Sequence, residues 1–130
     1  MPLAVSVEVE PVLVRRRFDA RLEAALYYVG LEALTNVQKH APGARATLTL
    51  RRQEDGRGLV IEVHDNGPGF DPAAPRRGAG RQNMTDRLAA VGGQLRIESG
   101  PGSGTWVQAC APLPAEPAQI SRPLRTREGK

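Results

Sequence analysis

The sequence has few aromatic residues and a single cysteine, and each shortage excludes a class of protein. Aromatic residues make up 4% of the 130 residues, so Leu, Val, Ile and Ala must build the core. Cys110 alone cannot form an internal disulfide framework or a cysteine-rich zinc site. No apolar run approaches the roughly 20 residues that span a bilayer, and the N-terminus lacks the pattern of a signal peptide. We therefore expect one cytoplasmic domain that makes no membrane contact.

Positive charge is in excess, with 18 Lys and Arg residues against 14 Asp and Glu and a net charge of +4. Much of this excess lies in residues 15–17, 76–81 and 122–130. Aromatic residues are not interleaved with these clusters, as they are in proteins that bind single-stranded nucleic acid. We expect no nucleic-acid partner, and we expect the positive charge to favour polyphosphate instead.

Hydrophobic periodicity predicts five strands and two helices. Val5, Val7 and Val9 alternate with polar residues, which predicts a half-buried strand. Asp19 is the predicted N-cap of a long helix that ends at His40. Further strands are predicted at residues 46–50, 59–63, 95–99 and 105–111, and a second helix at 82–91. This order predicts a two-layer α/β sandwich over residues 3–113, with a mixed sheet and helices on one face, followed by a disordered tail at 114–130.

A first polar group lies on the long helix, where Glu32, Asn36, Lys39 and His40 fall on one stripe beside the apolar stripe. An amide oxygen is a suitable ligand for Mg²⁺, which takes few protein ligands alongside phosphates. Lys39 and His40 have the chemistry to contact phosphate oxygens. Taken alone, the stripe is more typical of a solvated helix face than of a binding site.

A second group, Asp65-Asn66-Gly67-Pro68-Gly69, follows a strongly apolar strand. Two glycines here allow the backbone to approach a flat ligand closely. The carboxylate of Asp65 can accept a hydrogen bond from an exocyclic amine such as that of adenine. Without other evidence, the same residues indicate only a turn.

A third group, Gly78-Ala79-Gly80, opens the second helix, where free N–H groups and the helix dipole favour phosphate. No Gly-Lys-Ser/Thr follows, which excludes a Walker P-loop, and no strand directly precedes it, which excludes a dinucleotide motif. The stretch from Asp65 to Gly80 contains four glycines and three prolines. We predict that this stretch is mobile without nucleotide.

In this order the three groups resemble the N, G1 and G2 boxes of the GHKL (Bergerat) ATP-binding fold, shared by histidine kinases, the Hsp90 chaperone, DNA gyrase and MutL proteins. Residues Ala25–Ala41 resemble the N box of sensor histidine kinases that pair with NarL/LuxR-type response regulators. Asn83-Met84-x-x-Arg87-Leu88 and the segment Ser99–Thr105 resemble the same group. The resemblance covers about residues 3–113.

The resemblance implies a role for each residue of the first group. Glu32 corresponds to the acidic residue that orients or deprotonates the attacking group. Asn36 corresponds to the Mg²⁺ ligand, and Lys39 and His40 correspond to a phosphate-facing pair.

The other two groups also have counterparts in the family. Asp65 corresponds to the aspartate that recognises adenine, with Gly67 and Gly69 shaping that wall. Gly78 and Gly80 correspond to the phosphate-side glycines within a mobile lid at residues 70–82.

Three further positions can be compared with the family pattern. Thr105 corresponds to a third glycine box, where the hydroxyl supports the aspartate through water. Arg81 departs from the family, which has leucine there, so we expect it to loosen the lid or reach phosphate. Leu31 replaces a glutamine or small residue, which we expect to be harmless.

The implied function is to bind Mg²⁺-ATP and donate its γ-phosphate to a histidine on a dimerisation domain, with a NarL/LuxR-type response regulator as the next partner. Neither His40 nor His64 begins a long helix with an acidic neighbour, so the phosphoacceptor is expected elsewhere and turnover alone should be poor. Two alternatives stay open: an anti-sigma-factor serine kinase of the same fold, and a non-catalytic nucleotide-binding interaction module.

Overall fold

A computed structural model describes residues 3–69 and 80–114, which form a five-stranded sheet with two α-helices on one face. The predicted α/β sandwich is therefore confirmed. The predicted lid glycine Gly78, most of the lid and the tail from residue 115 lie outside the described residues. In chain order the elements are β1 (Ala4–Val9), a 3₁₀ turn (Pro11–Leu13), α1 (Ala20–His40), β2 (Arg45–Arg52), β3 (Gly58–Asp65), α2 (Gly80–Ala89), β4 (Gln94–Ser99) and β5 (Thr105–Pro112).

The helix α1 begins where its cap predicts. The Asp19 side chain accepts hydrogen bonds from the N–H groups of Arg21 (2.9 Å) and Leu22 (3.3 Å), which otherwise have no partner in the first turn. The apolar stripe from Leu22 to Val37 is buried against the sheet. Gly30 lies on the same face, and a Cβ there would lie 3.1 Å from Ile61 of β3. The helix thus crosses the sheet in close contact with its central strand.

The sheet has the order β1-β2-β3-β5-β4, and only β1 with β2 is a parallel pair. The central strand β3 is buried along most of its length, as its apolar composition predicts. Asp65 of β3 pairs in register with Ala46 of β2 and Thr105 of β5. The strand order therefore brings the start of β2, the end of β3 and the start of β5 together at one end of the sheet.

The first strand forms as predicted, but the prediction that it is half-buried is wrong. All six residues of β1 are exposed, including Val5, Val7 and Val9. Alternation identifies which face of a strand is apolar, but it does not reveal whether another element covers that face. Here α1 lies over the central strands and leaves the apolar face of β1 uncovered.

The exit from β1 is fixed to the end of β2 by one ion pair. Glu10 accepts hydrogen bonds from the Arg52 guanidinium at 2.8 Å and from the Arg52 N–H at 2.9 Å. These bonds to Arg52 lower the pKa of Glu10 from 4.5 to about 2. The carboxylate therefore stays ionised at all but strongly acidic pH.

The helix α2 ends at the predicted pair of glycines. Gly92 has a φ of 76°, and the Gly93 N–H donates to the Leu88 carbonyl at 2.7 Å. Leu88 and Met84 are the two buried residues of this helix. None of the described helices is both long and apolar enough to cross a membrane.

Candidate nucleotide-binding site

Asp65 ends β3 with only 4% of its surface exposed, and it is the only buried polar or charged side chain in the described ranges 3–69 and 80–114. Its Oδ1 accepts a 2.8 Å hydrogen bond from the Gly67 N–H. No residue in these ranges donates to its other oxygen. Because burying a carboxylate is costly unless its oxygens have partners, this oxygen is suited to a donor on a ligand.

The loop after Asp65 is held between the end of α1 and the start of β2. The Asn66 side chain accepts a hydrogen bond from the Arg45 N–H at 2.8 Å, and the Asn66 N–H donates to the Arg45 carbonyl at 3.1 Å. A Cβ at Gly67 would lie 2.5 Å from the Ala41 Cβ and 2.9 Å from Oδ1 of Asp65. The absence of a side chain at Gly67 is thus required by the protein itself. Sequence reasoning missed the anchoring role of Asn66, because an Asp-Asn-Gly sequence indicates a turn without revealing its partner strand.

The same loop packs against the turn between β4 and β5. Gly69 and Gly104 have φ angles of 71° and 74°, a region in which a Cβ is unfavourable. A Cβ at Gly69 would also clash with the Gly100 carbonyl, and one at Gly104 would clash with the Asp65 carbonyl. These glycines allow two backbones to lie against each other beside the buried carboxylate.

Thr105 lies beside Asp65 in the sheet, with its side chain on the same face. Its hydroxyl is 2.9 Å from that of Ser99, and the Ser99 hydroxyl also donates to the Gly104 carbonyl at 2.9 Å. Thr105 therefore lies next to Asp65, and its hydroxyl is hydrogen-bonded to that of Ser99 within the turn.

The predicted polar stripe on α1 divides into a half-buried part and an exposed part. Glu32 and Asn36 are half-buried, whereas Lys39 and His40 are exposed on the last turn. A Cβ at Gly80 would lie 2.5 Å from Oε2 of Glu32, so this carboxylate contacts the first residue of α2. The structure thus brings Glu32 to Gly80, the predicted phosphate-side glycine, which lies 48 residues away in the sequence.

A second contact holds α2 along the same side of α1. The Arg87 guanidinium lies over the Tyr28 ring, 4.3 Å from its centroid, one helical turn before Glu32. Because Arg87 lies in the last turn of α2, this pair holds the C-terminal part of α2 against α1. Sequence reasoning placed Arg87 in a motif but could not identify Tyr28 as its partner.

The two ends of the candidate site lie along the C-terminal half of α1. Gly67 contacts Ala41 at one end, and Gly80 contacts Glu32 at the other. Nine residues of helix correspond to about 13 Å, a distance comparable to the reach of ATP from its base to its last phosphate. Arg81, the second residue of α2, is exposed.

The described residues do not form a metal centre on their own. Nowhere in residues 3–69 and 80–114 do three His, Cys, Asp or Glu side chains come together. Asn36 and Glu32 offer oxygen ligands one turn apart, which is the donor chemistry of a Mg²⁺ ion that takes its remaining ligands from phosphates and water.

Comparisons with known proteins agree with this geometry. The profile of the family described as "Histidine kinase-, DNA gyrase B-, and HSP90-like ATPase" matches residues 22–115. An uncharacterized sensor-like histidine kinase of Chloroflexus aurantiacus is 37% identical over 103 residues, which cover 75% of this chain and 17% of that protein. Sensor protein VraS of Staphylococcus epidermidis is 34% identical over 96 residues, which cover 73% of this chain and 27% of that protein. The chain thus spans about a quarter or less of the length of these relatives.

Solved structures show the same fold. The histidine kinase domain of the Erythrobacter litoralis blue-light activated histidine kinase superimposes with a TM-score of 0.72 at 20% identity, covering 85% of this chain and 52% of that chain. The mycobacterial sensor histidine kinase MprB gives a TM-score of 0.63 at 21% identity, covering 85% of this chain and 82% of that chain. The family profile and the relatives together show that this chain belongs to the histidine kinase-, DNA gyrase B- and HSP90-like ATPase family, as an ATP-binding domain of the sensor histidine kinase type.

Proposed function

We propose that this chain binds Mg²⁺-ATP and donates the γ-phosphate to a histidine on a dimerisation domain. The phosphate then passes to a response regulator, for which the N-box resemblance favours the NarL/LuxR type. We place this reaction in the cytoplasm, where ATP is available. The observation that carries the proposal is the buried Asp65, with one oxygen unpartnered among the described residues.

At the base end, we propose that Asp65 accepts a hydrogen bond from the exocyclic amine of adenine. Guanine presents a carbonyl oxygen at the equivalent position, which a carboxylate repels, so Asp65 favours ATP over GTP. Gly67 and Gly69 shape the wall of this pocket, because without side chains the loop packs closely against Ala41 and the Gly100 carbonyl. Thr105 contributes a hydroxyl oxygen beside the carboxylate.

At the phosphate end, we propose that Asn36 ligates the Mg²⁺ ion carried by the nucleotide. Lys39, His40 and Arg81 are exposed basic residues that favour the triphosphate. Gly78 and Gly80 precede or begin α2, whose N-terminus favours anions. The ion neutralises charge on the phosphates when it is bound, and phosphoryl transfer depends mainly on such positioning and charge stabilisation.

We propose that Glu32 acts on the incoming imidazole. This role is supported by the contact of the carboxylate with Gly80 at the start of α2, where we propose that the last phosphate of the nucleotide binds. As the bond from the γ-phosphorus to the bridging oxygen breaks and the bond to the imidazole nitrogen forms, Glu32 orients the ring or accepts its proton. ADP leaves with the bridging oxygen.

Replacing Asn36 by alanine is expected to reduce the effect of Mg²⁺ on ATP affinity at least about tenfold, as loss of even an outer-shell partner does in metal sites. The measurement is titration calorimetry with ATP, with and without Mg²⁺. Gln38→Ala is the matched control, because this amide is exposed on the far side of α1. If both variants keep the full Mg²⁺ dependence, Asn36 is not a ligand.

Phosphoryl transfer is tested by mixing the chain with a separate acceptor hairpin of a related sensor kinase and radiolabelled ATP. We expect acid-labile label on the hairpin, and its loss with Glu32→Gln while ATP affinity is largely kept. Acid-stable label on serine of an antagonist protein would support an anti-sigma-type kinase instead. ATP binding without transfer to either substrate would support a non-catalytic module.

A further inference from the structure

The exposed large hydrophobic side chains of the described residues all lie within the first 31 residues of the chain. They are Val5, Val7, Val9, Val12, Val14, Tyr27 and Leu31. The first three valines occupy the helix-side face of β1, which α1 leaves uncovered. Val5, Val7 and Val9 thus form an exposed apolar row, and exposed apolar patches mark interaction sites.

The outer edge of β1 is also open. This strand pairs with β2 on one side, and no other described residue pairs with it. The Glu10 N–H donates to the Leu50 carbonyl, so the backbone groups of even-numbered residues face β2. Because the direction of these groups alternates along a strand, those of Val5, Val7 and Val9 point outward.

Edge strands are normally protected by charges, proline or a covering element. The opposite edge of the sheet follows this rule, since β4 carries the ion pair of Arg96 and Glu98 at 3.1 Å. In β1 the only charged residue is Glu8. The first strand is therefore an apolar edge with free backbone groups, which can accept a further strand.

We propose that β1 pairs with β1 of a second copy of this chain, antiparallel about a two-fold axis at Val7, to form a continuous sheet across two molecules. In this register Val7 faces Val7 of the second copy, and Val5 faces its Val9. The outward backbone groups of these residues then exchange hydrogen bonds in each pair. The interface is isologous, as in most closed dimers.

The sequence of β1 is self-complementary in this register. The three valines of each copy form one apolar row on the helix side. On the other face, Ser6 lies opposite Glu8 of the second copy, so the two Glu8 carboxylates do not face each other. Like charges directly opposite would oppose the pairing, and the register avoids them.

The helix α1 extends the apolar surface on this side. Tyr27 follows Glu23 by one helical turn, and Leu31 follows Tyr27 by another, so the three residues form one ridge. Glu23 contacts Arg17 and the Phe18 N–H, which places this ridge on the side of the segment after β1. The opposite ridge, with Tyr28 and Glu32, faces α2 and the nucleotide site. Pairing through β1 therefore leaves the nucleotide site accessible.

A lysine at the two-fold axis tests the pairing. Sedimentation velocity of the 130-residue chain should show a monomer–dimer equilibrium, and Val7→Lys should raise the dissociation constant at least about tenfold, because it places two like charges opposite each other. Val14→Lys is the matched control, since Val7 and Val14 are 63% and 62% exposed but Val14 lies outside β1. ATP affinity should be equal in both variants, so the outcome does not depend on the proposed kinase function.

A disulfide tests the register. In a Cys110→Ser background, Val7→Cys should cross-link two chains on mild oxidation, since hydrogen-bonded pairs have Cα atoms about 5.5 Å apart, within disulfide range. Val5→Cys alone should not cross-link, but a mixture of Val5→Cys and Val9→Cys chains should.

Three results would each overturn the proposal. The chain could stay monomeric at every concentration, or the Val7→Lys variant could dimerise like wild type. The third is that Val7→Lys loses binding to the acceptor hairpin although no dimer forms in the wild type.

Discussion

Replacing Asp65 by asparagine is expected to weaken ATP binding about 10- to 100-fold. A hydrogen bond to a charged group contributes about 1.5–3 kcal/mol, which corresponds to this change in affinity. The substitution keeps an oxygen for the Gly67 N–H, so the loop is expected to retain its shape. Titration calorimetry with ATP measures the loss directly.

The preference between nucleotides gives a second readout of the same substitution. An asparagine amide can donate to the carbonyl of guanine, which a carboxylate cannot do. Asp65→Asn should therefore lower the ratio of ATP to GTP affinity, beyond its effect on ATP alone. A general loss of folding would lower both affinities without changing their ratio.

Glu62→Gln is the control for this experiment. Glu62 lies on the same strand but on the open face of the sheet, where it pairs with Arg51 at 3.5 Å and accepts a hydrogen bond from Gln108 at 2.8 Å. It should leave ATP affinity unchanged. If Asp65→Asn behaves like Glu62→Gln, Asp65 does not recognise the base.

The sequence predicts those features of the fold that depend on neighbouring residues. The cap at Asp19 and the stop at Gly92 are both confirmed, because each depends on contacts within a few residues. The central position of β3 follows from its continuous apolar composition. The exposure of β1 could not be predicted, because it depends on where α1 crosses the sheet.

The contacts between the site residues could not be predicted from the sequence, because they depend on how distant strands and helices pack together. The hairpins β2–β3 and β4–β5 are local, but the placement of β5 beside β3, and not β4, is decided by tertiary packing. That placement brings Thr105 and Gly104 to Asp65. Similarly, the contact of Glu32 with Gly80 exists only because α2 packs along α1.

The glycines of the site also show a difference between what the sequence predicts and what tertiary packing decides. The sequence indicates that Gly67 and Gly69 leave room for a ligand, whereas the structure shows that protein atoms already occupy the space where their Cβ atoms would lie. The role of these residues toward the nucleotide stays a prediction. Their role in packing follows from the geometry, and it can be tested at the neighbouring Gly104, where a Cβ would clash with the Asp65 carbonyl.

Gly104→Ala is expected to destabilise the domain by about 2–5 kcal/mol. The φ of 74° at Gly104 imposes a cost of about 1–2 kcal/mol on any L side chain. The added Cβ would also clash with the Asp65 carbonyl, which belongs to backbone and cannot move aside freely. Such overpacking costs about 1–3 kcal/mol more. The melting temperature should fall by about 7–20 °C, measured by calorimetry or circular dichroism.

Gly102→Ala in the same turn separates the two contributions. Gly102 has a φ of 79°, but a Cβ there would meet nothing within 4 Å. This variant should therefore show only the backbone cost, about 1–2 kcal/mol, and ATP affinity close to wild type. Gly104→Ala should in addition weaken ATP binding. The added Cβ clashes with the Asp65 carbonyl and so displaces Asp65 together with its buried carboxylate. Equal destabilisation by the two substitutions would show that the backbone of Gly104 does not lie against that of Asp65.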